Sequence, residues 1–345
     1  MTPTYRNGGI TVRRSTVLVR FILAGSVLLA LSLPQAGLAQ QRAGWPRSVT
    51  IGSASIGGVY HVIAGGYARV IGEKLGIPAT NRVTGGPVQN VQLTQTKEIE
   101  LGLTTTGPAY EALRGIGEFK GKKMDAWRVA FPMYTSYAHW MVNADSPIRS
   151  VADLNNRVVS LGPRGGSAEF VGDRLWDLFK IKPRRSVYLS FADGASAMRD
   201  GVVDANFGVI GLPVPAWLEA AVTRPVRFFG FTQPQIETLT EQLPYMSRAV
   251  IRGGVYRGQD SPIPTVAMWN AAIVHKDMPE DFVYELVKAI FANRDFLELV
   301  HASAAETLPI NVFYIRLPLH PGAVRYFREQ GVKLTDTQLP PEMRR

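Results

Sequence analysis

Apolar and polar positions along the chain alternate between two spacings, one suited to short buried strands and one to helices with a single buried face. The β-branched run SVTIGS reads as a strand, and a Gly/Ser loop follows it. Beyond the loop, apolar residues fall at Tyr60, Ile63, Tyr67, Ile71 and Leu75, the three-and-four spacing that predicts an amphipathic helix. ATNRVT is the next strand, then Gly85-Gly86-Pro87, with Pro87 suited to the first turn of a helix through Gln95. IELGLT, the loop Thr106-Gly107-Pro108 and the helix AYEALRG complete a first set.

After the strand AWRVAFPMYT the plan begins again. AHWMVNA reads as a crossing strand, and Ser150 with Asp153 forms a capping-box-like start to a short turn. RVVSLG is a strand, PRGGS a loop and AEFVGDRLWDLF a helix burying Phe170, Val171, Leu175, Leu178 and Phe179. VYLSF, the helix GASAMRDG, the strand DANFGVIG and the helix AWLEAA, opened by Pro213 or Pro215, follow in turn. Alternating strands and helices predict an α/β fold of two lobes, each a mainly parallel sheet flanked by helices. Ligands of such sheets sit beyond the carboxyl ends of the strands. PTVAMWNAAIVHK reads as a strand returning after the second set. Lobe one is therefore expected to be discontinuous, residues 45–137 plus 263–345, and lobe two to be 138–262.

The first 39 residues break this pattern. Arg6, Arg13, Arg14 and Arg20 lead into the apolar run 21–33, then Pro34 and Gly37-Leu38-Ala39, the layout of a cleavable secretory signal. A run of 13 residues is short of the roughly 20 that a spanning helix needs. The expected cut is after Ala39, and the expected location is the periplasm. Losing four arginines lowers the net charge from +10 to +6. No clustered basic surface with interleaved aromatics remains to suggest nucleic acid. The absence of cysteine removes disulfides, thiolate chemistry and a lipid anchor together.

The candidate chemistry lies in the glycine loops. Residues 52–58 and 162–167 each bring backbone N–H groups to a helix start, a ready site for carboxylate or phosphate oxygens. Gly57, Gly58, Gly165 and Gly166 are the expected N–H donors, with hydroxyls of Ser53, Ser55, Thr105, Thr106 and Ser167 as supplements. Arg164, inside the second loop, suits a second carboxylate or an aromatic ring. Tyr60, Tyr134 and Trp217 are candidate aromatic walls, and Ile56, Val59 and Ala168 make the expected cleft less polar. Pro213 is placed with the ligand-binding residues. No P-loop occurs, Ala54 stands where a dinucleotide fingerprint needs its second glycine, and no serine sits in a complete nucleophile elbow. The five histidines have no metal spacing. Neither catalysis nor a cofactor nor a metal is expected.

Six ordered blocks between residues 49 and 331 resemble the TAXI family of solute-binding proteins, the periplasmic receptors of TRAP transporters. They are VTIGSASIGGVYHVIAGGYARVI, VTGGPVQNVQL, EIELGLTTTGPAYEA, SVADLNNRVVSLGPRGGS, GVVDANFGVIGLPVPAW and LPLHPGAVRYFREQG. The resemblance implies a type II periplasmic-binding fold with ligand held between the lobes and handed to TRAP membrane subunits. Ser55, Gly57, Gly58 and Tyr60 keep the places of the family's first loop, and Asn90 matches the Asn of its second block. Departures are frequent: Ala54, Val59 and His61 replace Gly, Thr and Tyr, and Thr105 with Thr106 stands where many members carry Gln and Ser. In the second loop the Ser has moved by one place to Ser167. Backbone donors are kept while several side-chain donors are not, so the expected ligand is a small organic anion, with glutamate disfavoured. Dicarboxylates and aromatic or branched acids rank above amino acids, and the receptor is expected to act as a monomer.

Overall fold

The computed structural model describes residues 44–344 together with Met1, Thr2 and Thr4. The leader's apolar run at 21–33 and the cut after Ala39 lie outside the described residues. Pro46–Arg345 forms one unit by its internal contacts. Among the described residues, no helix is long and apolar enough to cross a membrane.

Strands β1 (Val49–Gly52), β2 (Ala79–Arg82) and β3 (Leu101–Thr105) run parallel with β1 in the middle. The long β4 (Trp127–Asn143) leads to a second parallel set, β5 (Val158–Ser160), β6 (Arg185–Val187) and β7 (Ala205–Ile210), with β5 in the middle. β8 (Val226–Phe229) and β9 (Ser247–Ile251) pair with β4 and β10 (Ile263–His275), which return antiparallel. The sheet order is β2-β1-β3-β10-β4-β7-β5-β6. Each half is thus three parallel strands closed by one long antiparallel strand.

The helices obey the same symmetry. α1 (Val59–Val70) links β1 to β2, α2 (Pro87–Gln95) links β2 to β3, and α3 (Thr106–Arg114) follows β3. In the second half α4 (Ser167–Phe179), α5 (Phe191–Arg199) and α6 (Pro215–Thr223) hold the equivalent places. α7 (Gln233–Gln242) precedes β9, and α8 (Glu280–Ala292), α9 (Arg294–Val300) and α10 (Pro321–Glu329) end the chain. The last three pack on the first half, where Phe291 meets Phe131 and Leu297 lies against Gly66.

Two expectations about elements change. AWRVAFPMYT and AHWMVNA are one strand, not two, because Ser136 and Tyr137 between them stay in the ladder, opposite Met268 and Ala267 of β10. The loop expected at Thr106-Gly107-Pro108 is the first turn of α3, which accepts proline without penalty. β4 changes partner along its length: Trp127 to Tyr137 face β10, and Tyr137 to Met141 face β7. Each half has its own core, with Tyr67, Phe131, Phe282 and Phe327 in the first and Trp140, Phe170, Leu175 and Phe207 in the second. Each such side chain contributes roughly 1.5–3 kcal/mol by leaving water.

Candidate ligand-binding site

A cavity of about 40 Å³ lies where loops of the two halves meet. Gly58 and Tyr60 reach it from the loop after β1, Gly85 and Pro87 from the loop after β2. Pro163, Gly166 and Ser167 come from the loop after β5, Phe191 from the start of α5, and Ile210 with Gly211 from the end of β7. Tyr134 and Ser136 of β4 and Asn270 of β10 form its floor. At about 10–15 Å³ per water the cavity as it stands has room for about three waters.

The glycines are what let the two halves touch. A methyl group on Gly85 would run into the Arg164 carbonyl oxygen, and the Val88 N–H donates to the Gly165 carbonyl at 2.9 Å. On the other side Gly57, at φ +83°, leaves space for Ala192 and Ala216, whose atoms would lie 3.0–3.1 Å from an added Cβ. The Ala216 N–H donates to the Gly57 carbonyl at 3.3 Å. Further out, Arg174 of α4 grips Glu111 of α3 through both carboxylate oxygens at 2.8 and 2.9 Å. Burial raises the Glu111 carboxyl above its usual range, against the pull of Arg174.

Two helices start at this cavity without a side-chain cap, α1 at Gly58 and α4 at Gly166. Helix geometry leaves their first N–H groups without an acceptor inside the helix. In α4 the ladder begins with Phe170 N–H to the Gly166 carbonyl, so the N–H groups of Ser167, Ala168 and Glu169 precede it. These donors sit one step beyond the glycines singled out from sequence. The Gly58, Gly165 and Gly166 N–H groups are engaged by Ser55 O, Glu169 Oε2 and Pro163 O respectively. Thr105 and Ser167 pair through their hydroxyls at 3.0 Å across the two halves.

The floor is polar and mostly satisfied. Asn270 donates to the Tyr134 carbonyl at 2.6 Å and to Ser136 Oγ at 2.8 Å, and accepts from the Tyr60 hydroxyl at 2.5 Å. The Tyr134 hydroxyl is different. Its residue is fully buried, lines the cavity, and its oxygen has no hydrogen-bond partner. A buried hydroxyl left unpaired costs roughly 1–3 kcal/mol. Burial pushes both the Tyr60 and Tyr134 hydroxyls well above the ordinary phenol range, so both are proton donors at neutral pH.

Other residues predicted from sequence lie elsewhere. Asn90 is fully buried behind the loops, donating to Gly52, Ser53 and Leu103 carbonyls and accepting from Thr84, which ties β1 to β3. Ser53 bonds to Asn81 and Arg82 on β2. Ser55 is buried beside the loop with an unpartnered hydroxyl, next to cavity-lining Ala54. Thr106 opens α3. Pro213 precedes α6, and its carbonyl accepts from His301 Nε2 at 3.0 Å. Arg164 turns outward: its side chain is 72% exposed, pairs with Glu169 at 3.0 Å and stacks on the Tyr188 ring at 3.8 Å. Trp217 is buried behind Gly208 and Ile56 is exposed, and Phe191 provides the wall instead.

Ser136 and Asn270 were not foreseen. They lie 134 residues apart on neighbouring antiparallel strands, and only a polar residue interrupting an apolar strand marked either one.

Residues 51–331 match the NMT1-like family. The chain belongs to the NMT1-like family. Among solved structures, it is similar to MatC from Rhodopseudomonas palustris with bound malate, at 14% identity over 82% of this chain and 98% of that one, with a TM-score of 0.55. It is similar also to the periplasmic binding protein BugD, at 14% identity over 84% and 99% of the two chains, with a TM-score of 0.54. The fold of this NMT1-like chain is therefore the two-lobed type II fold of periplasmic solute-binding proteins. Its cavity lies where the two halves of that fold meet.

Proposed function

We propose that this protein is an extracytoplasmic receptor that captures a small organic anion between its lobes and delivers it to the membrane subunits of a TRAP-type transporter. The observation that carries the reading is the pair of uncapped helix starts, one from each half, lining one cavity together with Tyr134, whose buried hydroxyl is unpartnered. Each helix start contributes about 0.3–1 kcal/mol toward an anion, rising to ~2 when partly buried. Micromolar binding needs about 8 kcal/mol, so the two starts, the hydroxyls and apolar contact act together. The six TAXI-like blocks support the TRAP assignment, and the malate held by MatC keeps organic acids within the chemistry this fold accepts. Lobe one is 45–137 plus 263–345 and lobe two 138–262, a division supported by the change of partner along β4 at Tyr137. Two crossing strands permit hinge closure. The protein works as a periplasmic monomer after removal of residues 1–39. It binds its solute unchanged, since the polar groups of the lining are hydroxyls, amides and backbone rather than groups that exchange protons near neutral pH.

Native mass spectrometry of gently purified periplasmic protein tests this. One organic acid per chain, released intact on denaturation, is the expected result. A neutral sugar or a chemically altered product released in its place overturns the reading.

A further inference from the structure

The geometry points to a compact monocarboxylate with an apolar body as the ligand, and to Tyr134 as the residue that reads an oxygen beside the carboxylate. This rests on the receptor reading above and narrows it. Among the described residues that line the cavity, none carries a charge. The cation expected to meet a second carboxylate, Arg164, is occupied outside by Glu169 and Tyr188. Hence a second carboxylate would be buried without a side-chain cation, resting only on the start of α4, whose positive end Glu169 already partly neutralises. An ammonium group is excluded for the same reason with the sign reversed. The uncapped helix starts are positive, and no acidic side chain lines the cavity to balance a cation.

What remains favours one negative charge and hydrocarbon. Pro87, Pro163, Phe191, Val209 and Ile210 give apolar walls. Of the floor groups, Tyr60, Ser136 and Asn270 satisfy one another, while the Tyr134 hydroxyl is fully buried and unpartnered. Its ring is held in place by close contact with Gly211. A donor fixed in this way selects a ligand with an acceptor next to its carboxylate, such as a keto oxygen.

Four acids with the same five-carbon skeleton separate these points: isovalerate, α-ketoisovalerate, valine and methylsuccinate. Calorimetry on the native protein and on Tyr134→Phe reads the result, with melting temperatures confirming that the variant folds. The expected order is α-ketoisovalerate, then isovalerate, with valine and methylsuccinate at least about thirtyfold weaker. Tyr134→Phe weakens α-ketoisovalerate about tenfold and leaves isovalerate within about twofold. Valine or methylsuccinate binding as well as isovalerate overturns the ligand class while leaving an acid receptor standing. Binding of none of the four also overturns the class, and only a neutral co-purifying solute removes the acid receptor as well. Equal loss for both monocarboxylates, or no loss, removes Tyr134 from its reading role even if the variant panel is set against an unchanged native order.

Discussion

The starts of α1 and α4 look interchangeable in outline, each a glycine loop running from a strand end into an uncapped helix on the same cavity. They are equipped differently. α1 has no acidic residue in its first turn, whereas α4 carries Glu169 there. The Glu169 carboxylate takes the Gly165 N–H at 2.6 Å and pairs with Arg164, so the positive end of α4 is already partly neutralised. Burial raises the Glu169 carboxyl despite those two partners. On the anion reading proposed above, the first start is left to hold the charge, while the second brings Ser167 against Thr105. Symmetric topology has produced an asymmetric grip.

Acid gives the largest way to break this comparison. Burial lowers His139 in the second half and His320 in the first from 6.5 to about 4. The unfolded chain binds a proton at each below about pH 6.5, and the fold resists until about pH 4. Stability is therefore complete near neutral pH and falls through that window, by about 3 kcal/mol for each histidine. His139 also accepts from the Tyr256 hydroxyl, which in turn accepts the Val214 N–H just past the cavity. Melting followed from pH 7.5 to 4.5 should show the fall, and His139→Leu should shallow the slope; a flat profile breaks the assignment.

Next in size is closure itself. Gly85→Val places a side chain where the Arg164 carbonyl now lies, so ligand affinity should drop about thirtyfold with the melting temperature of the unliganded protein nearly unchanged. Small-angle scattering should show that the variant fails to compact with ligand, and normal compaction would refute the contact. The outer clamp is weaker. Arg174→Met leaves the buried Glu111 carboxylate without its cation, held by the Tyr245 hydroxyl at 3.3 Å, and should weaken binding about tenfold, while adding Glu111→Leu should recover most of the loss. No recovery in the double variant would mean that Arg174 acts through Phe170, on whose ring it also rests. The smallest effect sharpens the difference between the helix starts: Arg164→Ala should change affinity for a monocarboxylate by less than about twofold. A tenfold loss in calorimetry would return Arg164 to the cavity.

Much of this was legible in the chain because strand and helix periods are local. β1 through β3, β5, α1, α2 and α4 follow directly from apolar spacing and from glycine or proline at the turns. The segment carrying β8, α7 and β9 offered short strands with half-exposed faces, and gave no comparable signal. The join within β4 was hidden at Ser136 and Tyr137, whose strand partners lie on β10, far along the chain. At the site, the loops are local and were readable, including the departures at Ala54 and Val59. Whether a loop residue faces inward is not local. Arg164 turns out to meet Glu169 and Tyr188, and Asn90 spends its amide on three carbonyls of neighbouring strands. Of these, the Arg164–Glu169 pair had a signal: an acid in the first turn of a helix competes for the same donors as a ligand.

Hydrogen exchange with and without a bound organic acid tests the grip most directly, since it reads the amide donors themselves. Amides at 59–61 and 167–169 should slow together by at least about tenfold on saturation, with those of α1 protected more strongly than those of α4. Protection confined to residues away from both helix starts, or to α4 alone, would contradict the claim that the anion rests on α1 and is closed over by the second half.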